Sequence, residues 1–427
     1  MIEILRASDV KPEALRTRQQ ALSEKADKAA AEIIERIRQE GDKAVLEMTE
    51  RFDGAKLAAL EVTEAEFEEA ERNVDPALKA LLTQAAENIR AFHRHQLRDG
   101  FVLSEKTGVV LGQLIRPLER VGLYVPGGTA SYPSSVLMNA IPPLLAGVSE
   151  RVMVTPPGRD GQIAPQILTA ARIAGVSRVF KCGGAQAVAA LAYGTESIPK
   201  VDKIVGPGNA YVAAAKRRVY GLVDIDMIAG PSEVLVIADD PADAASVACD
   251  MLAQAEHDPL SAAILVTPCE RLAFAVRDRL EQELSGMPRA EIARRSIDDN
   301  GRIVLVDNLD QAVALSNVIA PEHLELCVDE PFRLLGAVKN AGSVFLGKNA
   351  PEALGDYWAG PNHTLPTGGA ARFSSPLSVD DFVKKTQIMS YDRAALAGAK
   401  DAIVRLAQAE GLYAHARSVA VRFEEEP

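Results

Sequence analysis

The feature that constrains the fold most is a regular alternation of short apolar runs with helical patterns between about residues 151 and 349. The runs are rich in Val, Ile and Leu and are bounded by Gly, Pro or Asp, as buried strands are. Strands that alternate with helices of this length form βαβ units around a parallel sheet. In chain order the runs are RVMVTPP, SRVFKCGG, KIVGPG, SEVLVIADD, SAAILVTP, GRIVLVDN and GSVFLGKN.

The alternation falls into two successive blocks that divide near Pro231. Two blocks predict two sheets with a cleft between them, and in open α/β sheets ligands bind at the carboxyl ends of the strands. The first hundred residues predict helices over residues 25–51 and 64–96, with a boundary at Pro76. The tail from about Ser378 is also predicted to be helical, from DDFVKK to DRAALAGAKDAIVRLAQAEGL.

Charge and cysteine usage exclude several classes of protein. The formal net charge is −12, which argues against a dedicated nucleic-acid binder. The first eleven residues include charged side chains and no continuous apolar core, so we expect no secretory signal. The cysteines show no C-x-x-C spacing, which favours a reducing compartment over a disulfide framework; they are Cys182, Cys249, Cys269 and Cys327. We therefore expect a soluble, cytoplasmic protein.

Residues 121–149 include no charged side chain, and an uncharged stretch of this length raises the question of a membrane-spanning helix. The stretch contains Pro126, Pro133, two further prolines at 142–143 and a pair of glycines at 127–128. A spanning helix does not tolerate that many breaks, so the pattern predicts buried core with tight turns and no membrane contact.

Three glycine turns that follow predicted strands are the sequence signal for a cofactor. The dinucleotide fingerprint G-x-G-x-x-G is absent, because Tyr211 stands where its third glycine would be. Backbone N–H groups at such strand-to-helix turns can bind an anion, although a purely structural turn is the alternative for each. The turns are YVPGGT, GGAQ and GPGNAY, and their candidate contacts to a ring, an amide or a ribose are Tyr124, Gln186 and Asn209.

Two histidines have neighbours that suggest chemistry. Gln254 and His257 are three residues apart at the end of a predicted helix, so they share a face and could hold one metal ion. Glu322 and His323 place a carboxylate beside an imidazole, and such a pair could share acid and base work. The alternatives are a helix cap or surface pair in the first case and a chance dipeptide in the second.

Two further segments and one thiol are candidates. The stretch GDYWAGPNHTLPTGG holds Asp356, His363 and the one Trp among turn-forming residues, which is typical of a functional loop. Glu410 and His415 lie near the end of the chain. Cys327, four residues after His323, could be a thiolate nucleophile, but the flanking LEL pattern favours a buried structural thiol.

Taken together, the sequence motifs of this chain resemble those of the histidinol dehydrogenase family, and the resemblance covers nearly the whole chain. Many long strings in one order are more specific than any single motif. The strings that carry the resemblance are RVGLYVPGGTA, GGAQA, GPGNAYV, DMIAGPSEVLVIAD, QAEHD, APEHLEL, GDYWAGPNHTLPT and EGLYAHARS.

The resemblance implies a cytoplasmic enzyme of histidine biosynthesis that oxidises L-histidinol through the aldehyde to L-histidine, reduces two NAD and holds one Zn²⁺ per subunit. His323 would take the hydroxyl proton, and Glu322 would activate water, for which partial burial could raise its pKa. The implied zinc ligands, which also contact substrate, are Gln254, His257, Asp356 and His415. Further substrate contacts would be Ser232, His363 and Glu410, and NAD contacts Tyr124, Gln186 and Asn209.

The resemblance also implies a homodimer whose C-terminal tail completes the partner's site, with Glu410 and His415 shared between subunits. The fold class expected is α/β, with two incomplete Rossmann-like parallel-sheet domains, a helical N-terminal segment and a helical C-terminal tail. The expected parts are an N-terminal helical segment over 1–21, a first α/β domain over 22–122 and 234–377, an NAD-binding α/β domain over 123–233, and the tail over 378–427.

Three other functions remain as alternatives. A related NAD-dependent alcohol dehydrogenase with another substrate would share the scaffold and differ in the residues that contact the imidazole. A zinc hydrolase would use water on the metal and would leave the three glycine turns without a purpose. A non-catalytic zinc or nucleotide binder would have no use for the adjacent Glu322 and His323.

Overall fold

The computed structural model describes residues 1–11, 15, 24–127, 131–240 and 242–424. The chain divides into two compact units. The first comprises Met1–Gln96 and Leu118–Phe382, and the second comprises Leu97–Pro117 and Val383–Pro427. Among the described residues, no helix has the length and apolarity needed to cross a membrane.

The first unit contains a six-stranded parallel sheet in the order β1-β11-β10-β9-β12-β13. Its central strand β9 is buried on both faces, because Val234 and Val236 belong to one hydrophobic cluster and Leu235 and Ile237 to another. A strand covered on both faces has no polar side to show, which explains the continuous apolar run. The strands are β1 (Glu3–Arg6), β9 (Glu233–Ala238), β10 (Ala262–Thr267), β11 (Arg302–Leu305), β12 (His323–Cys327) and β13 (Ser343–Leu346).

The same unit contains a five-stranded parallel sheet in the order β6-β5-β4-β7-β8. Neighbouring residues of β5 again face opposite ways, since Val152 and Val154 pack in one cluster and Met153 in another. The strands are β4 (Arg120–Tyr124), β5 (Glu150–Thr155), β6 (Arg178–Lys181), β7 (Lys203–Val205) and β8 (Asp224–Ile225). The prediction of an α/β fold with parallel sheets is confirmed.

Helices follow most of these strands and cover both sheets. Around the five-stranded sheet lie α5 (Pro133–Ala146), α6 (Pro165–Ile173), α7 (Gly184–Tyr193) and α8 (Ala210–Val219). Around the six-stranded sheet lie α9 (Ala244–Ala255), α10 (Glu270–Leu284), α11 (Ala290–Asn300), α12 (Leu309–Ile319), α13 (Pro331–Leu335) and α14 (Glu352–Tyr357).

The N-terminal helices pack against the five-stranded sheet. Ile34 and Ile37 share a core with the α7 residues Val188 and Leu191. The predicted boundaries placed residues 22–122 with 234–377 instead, since adjacency in sequence does not tell which core an amphipathic helix will join. These helices are α1 (Glu24–Glu40), α2 (Asp42–Asp53), α3 (Glu64–Asn73) and α4 (Pro76–His93).

The N-terminal segment predicted to be helical over 1–21 begins instead with a strand; a 3-10 helix over Ala7–Asp9 follows it, and Leu15 is helical. Glu3–Arg6 form β1, which pairs in parallel with β11 from Glu3↔Arg302 to Arg6↔Leu305. Four residues carry too little periodicity to reveal an edge strand, and the pairing itself decides their conformation. Residues 12–14 and 16–21 of that prediction lie outside the described residues.

The second unit contains an antiparallel sheet in the order β14-β3-β2, with β2 at Phe101–Leu103, β3 at Val109–Pro117 and β14 at Val383–Tyr391. The prediction of a helical tail from Ser378 is wrong for the DDFVKK segment. Its first residues lie in a 3-10 helix over Val379–Phe382, and its last residues, VKK, begin strand β14. Nine residue pairs with β3 outweigh the local pattern. Two helices complete the unit, α15 (Arg393–Ala409) and α16 (Tyr413–Ala420).

Candidate active site

The catalytic candidates lie at the amino edge of the six-stranded sheet. Glu322 and His323 stand at the start of β12, and Ser232 precedes β9 beside them. Helix α9 runs back from the opposite edge, so its carboxyl end brings Gln254 and His257 to the same place. The expectation that the ligand site would gather at the carboxyl ends of the strands is therefore wrong for this sheet, because a returning helix and two strand starts supply the polar groups.

His323 is buried, with 4% of its surface exposed, and its tautomer follows from its partner. Its Nδ1 lies 3.0 Å from the carbonyl oxygen of Glu233. Because a carbonyl only accepts, Nδ1 donates and Nε2 is left as the basic nitrogen. Burial lowers the pKa of His323 to about 4, so the ring is neutral near pH 7 and able to accept a proton.

Glu322 is buried beside His323, with its Oε2 at 3.8 Å from His323 Nδ1. The same oxygen accepts a hydrogen bond from the backbone N–H of Glu233 at 2.8 Å. Burial raises the pKa of Glu322 well above its usual range, and this hydrogen bond opposes the rise only in part. The carboxyl group is thereby shifted toward the range in which it can exchange protons near neutrality.

A cluster able to bind a divalent cation lies next to this pair. His257, Glu352 and Asp356 each offer one ligand atom, and those atoms lie within 4.8 Å of one another. Glu352 and Asp356 are one turn apart on α14, which puts both carboxylates on one face. Imidazole and carboxylate donors at this spacing suit zinc, so the residues present fit the metal that the sequence predicts.

Gln254 contributes an amide to the same cluster. In the orientation that places the amide nitrogen toward Glu352 and Glu233, Gln254 donates to Glu352 Oε1 at 3.1 Å and to the Glu233 carbonyl oxygen at 3.2 Å. A nitrogen engaged by these acceptors leaves the amide oxygen as the atom that can bind a cation. The side chain is almost entirely buried, so its position is set by packing as well as by these bonds.

His363 links the cluster to helix α5 of the other sheet. Its Nδ1 lies 3.6 Å from Asp356 Oδ1, and its Nε2 lies 3.3 Å from the hydroxyl of Ser135. Burial alone would raise the pKa of Asp356, but the contact with His363, together with the nearby His323 and His257, outweighs burial and lowers that pKa. Asp356 is therefore ionised at neutral pH, as a metal ligand must be.

Glu410 and His415 belong to the second unit. Glu410 follows the end of α15, and His415 lies in the first turn of α16. Both side chains are exposed. Their assignment to a site stays a prediction.

The candidate NAD contacts lie at the carboxyl edge of the five-stranded sheet. Tyr124 ends β4 and is buried, and its hydroxyl accepts from the backbone N–H of Gly184 at 3.1 Å. Gln186 is buried in the first turn of α7, while Asn209 caps α8 by accepting from Tyr211 N at 3.0 Å. Residues Gly128 and Thr129 of the first glycine turn lie outside the described residues.

Backbone structure also explains why glycine stands in the turn before helix α8. Gly206 has φ of +115°, and a Cβ there would overlap the carbonyl of Tyr124. Its backbone N–H donates to Asp226 Oδ2 at 2.7 Å, and its carbonyl accepts from Lys216 Nζ at 3.0 Å. Lys216 and Asp226 are themselves a buried ion pair, so they hold this peptide from both sides.

Comparison with known proteins identifies the family. The family model described as histidinol dehydrogenase matches residues 16–423. The chain belongs to the histidinol dehydrogenase family. It is 57% identical over 401 residues to histidinol dehydrogenase of Syntrophotalea carbinolica, with 93% of each chain covered. It is 54% identical over 394 residues to that of Listeria monocytogenes, with 92% of each covered.

A solved structure agrees with the assignment. The crystal structure of histidinol dehydrogenase from Elizabethkingia anophelis superposes with a TM-score of 0.93 at 38% identity. The match covers 99% of this chain and 98% of that one. The sequence-based assignment to the histidinol dehydrogenase family is thus confirmed.

Several carboxyl groups in or next to the candidate site were not predicted from the sequence. Glu352 precedes Asp356 by four residues, a helical spacing that could have revealed it. Glu325 follows His323 by two residues, the spacing of one face of a strand. Asp250 stands four residues before Gln254 on α9. Each signal is visible only after the element type is known.

The thiolate hypothesis for Cys327 finds no support in its surroundings. Burial raises the pKa of the Cys327 thiol, and the neighbouring carboxyl of Glu325 raises it further. Burial likewise raises the pKa of Cys182. A reactive cysteine needs the opposite shift, so both are structural thiols.

Proposed function

We propose that this chain is a zinc- and NAD-dependent histidinol dehydrogenase that oxidises L-histidinol through L-histidinal to L-histidine, reducing two NAD. This four-electron oxidation forms the last steps of histidine biosynthesis. The observation that carries the proposal is the buried Glu322–His323 pair beside the cluster of His257, Glu352 and Asp356. The names of the relatives give the substrate, and the site chemistry supports it.

His323 is the base of the first half-reaction. Its ring is neutral, and its Nε2 accepts the hydroxyl proton of histidinol while hydride leaves the carbon for the nicotinamide. The hydrogen bond from Nδ1 to the Glu233 carbonyl fixes the ring and stabilises the imidazolium that forms. L-Histidinal, one NADH and one proton result.

Glu322 is the base that activates water for the second half-reaction. As water adds to the aldehyde, Glu322 takes a proton from it, and a hydrated aldehyde forms. A second hydride then leaves that diol for another NAD, which gives the carboxylic acid. Because burial has raised the pKa of Glu322, the carboxylate is a stronger base than an exposed glutamate.

Zinc would be held by Gln254, His257 and Asp356 of one subunit and by His415 of the partner, one ion per subunit. When bound, the ion supplies positive charge that anchors the imidazole and amine of the substrate and fixes its orientation. Glu352 hydrogen-bonds Gln254 and so orients one ligand.

The remaining contacts follow the same assignment. Ser232 and His363, with Glu410 from the partner, would contact substrate, and Tyr124, Gln186 and Asn209 would contact NAD. The protein would then be a homodimer with shared active sites, which ties activity to association.

The test is to mix the purified protein with NAD and L-histidinol and to follow NADH absorbance with and without a chelator. We expect NADH formation that a chelator abolishes and zinc restores. A panel of other primary alcohols is the control. NADH from another alcohol and none from L-histidinol would favour the related alcohol dehydrogenase, and no NADH from any alcohol would contradict the proposal.

A further inference from the structure

A second group of buried and half-buried polar side chains lies next to the candidate site and takes no part in the proposed reaction. Ligand-type atoms of Asp250, Glu325 and Cys327 lie within 4.8 Å of one another. Glu325 is fully buried, at 0% exposure, in the middle of β12. Burying a carboxyl group costs free energy unless the group is hydrogen-bonded, so the partners of Glu325 indicate its role.

The first partner is the start of helix α14. Glu325 Oε1 accepts from the backbone N–H of Glu352 at 2.8 Å. The residue before the helix is Pro351, whose side chain makes no capping hydrogen bond. Glu325 therefore supplies from a neighbouring strand the acceptor that a helix start needs. One turn further along the same helix stands Asp356.

The second partner is Asp250 on helix α9, which places a carboxylate oxygen within 4.8 Å of a carboxylate oxygen of Glu325. Asp250 precedes Gln254 by four residues, so both lie on one face of the helix, and His257 follows two residues after the helix ends. Glu325 lies on the same face of β12 as His323, because they are two residues apart. The pair thus joins the three elements that carry the candidate site.

The hydrogen bond that Glu325 accepts from Glu352 N is directional, whereas an apolar contact is not. Replacing a buried polar pair by apolar side chains is often neutral for stability, whereas hydrogen bonds of fixed length and angle specify one arrangement. The arrangement specified here is that of α14, which carries Glu352 and Asp356, against α9, which carries Gln254 and is followed by His257.

We infer that Glu325, beside Asp250, is the positioning residue of this site, because it fixes helix α14 against α9 and β12 and so sets the spacing of the cation-binding side chains. The part of this inference that concerns zinc rests on the proposed function. The part that concerns helix α14 does not.

The test compares Glu325→Ala with Glu325→Gln, which keeps an oxygen acceptor for Glu352 N. Zinc affinity is read from competition with a chelator, and the order of α14 from hydrogen exchange of residues 352–357 in the metal-free protein. We expect Glu325→Ala to weaken zinc binding roughly 10- to 100-fold and to speed exchange in that helix. Glu325→Gln should restore most of both.

Glu66→Ala is the matched control, because Glu66 caps a helix and pairs with Lys181 in the other half of the unit. It should lower the melting temperature and leave zinc affinity unchanged. Asp250→Ala, at a partly exposed position, replaces Glu325→Ala if that variant does not fold, and should weaken zinc binding about 10-fold.

Unchanged exchange over residues 352–357 in both Glu325→Ala and Asp250→Ala would overturn the inference, whether or not zinc binds. Equal loss of zinc affinity in Glu66→Ala would overturn it too. If the wild-type protein binds no zinc, the metal in the proposed function fails, and the exchange measurement still decides the positioning role.

Discussion

At the scale of the residue, one physical cause shapes both catalytic candidates. Burial favours the neutral form of Glu322 and of His323, so it raises the pKa of the carboxyl and lowers that of the imidazole. The backbone of Glu233 contacts both side chains, its N–H binding Glu322 and its carbonyl oxygen binding His323. A single peptide segment thereby orients the two groups that the proposed reaction needs.

Glu322→Gln separates the two half-reactions. The amide keeps the size of the side chain but cannot take a proton from water, and only the second half-reaction uses water. We expect oxidation of L-histidinal to slow by about 10²-fold or more, and oxidation of L-histidinol to the aldehyde to slow much less. Single-turnover NADH formation from each substrate measures this. Equal slowing of both steps would contradict the role given to Glu322.

The low pKa of His323 predicts a pH dependence of stability. Its folded-state pKa is about 4 against an ordinary value of 6.5. Between those values the unfolded chain binds a proton that the folded chain does not, so the free energy of unfolding falls as pH falls through this range. At about 1.4 kcal/mol per pKa unit, the loss is about 3 kcal/mol.

The check is denaturant unfolding of metal-free wild type and His323→Asn at several pH values. The wild type should lose stability relative to the variant as pH drops from 6.5 to about 4, and their difference should be constant above that range. Parallel pH profiles for the two proteins would show that His323 is not held neutral by burial.

At the scale of the element, the turn before helix α8 is held by a buried ion pair. Lys216 and Asp226 have side-chain exposures of 3% and 1%, and together they bind both polar groups of the Gly206 peptide. Lys216→Met leaves Asp226 buried without its cation, which costs about 3–5 kcal/mol. Arg271→Met, in an exposed pair with Asp240, should cost about 1 kcal/mol or less. Similar unfolding free energies for the two variants would contradict this.

Also at this scale, particular elements show what a sequence can reveal. The strand over Ala262–Thr267 and the helix over Ala244–Ala255 are predictable because their patterns are local. Strand β14 is not, because its conformation depends on pairing with β3 more than two hundred residues earlier in the chain. Catalytic candidates such as Glu322 and His323 are found by resemblance, whereas Glu325 and Asp250 become visible only once a strand face and a helix face meet.

At the scale of the whole molecule, the proposed dimer makes each active site depend on two chains. His415→Ala should lose zinc in the purified protein, measured as metal content. Mixing it with Glu322→Gln should restore oxidation of L-histidinal, the step that both variants lack, because a mixed dimer has one site free of both changes. With random exchange in an equal mixture, about one quarter of wild-type activity is expected. No recovery, with subunit exchange shown separately, would contradict shared sites.

The proposed reaction is a four-electron oxidation at a single kind of site. The most direct test is to react a limiting, known amount of L-histidinol with excess NAD on the zinc-loaded protein and to count NADH while identifying the product. The proposed reaction requires two NADH for each L-histidinol, with L-histidine as the product and no aldehyde accumulating. One NADH for each L-histidinol, with L-histidinal as the end product, would contradict it.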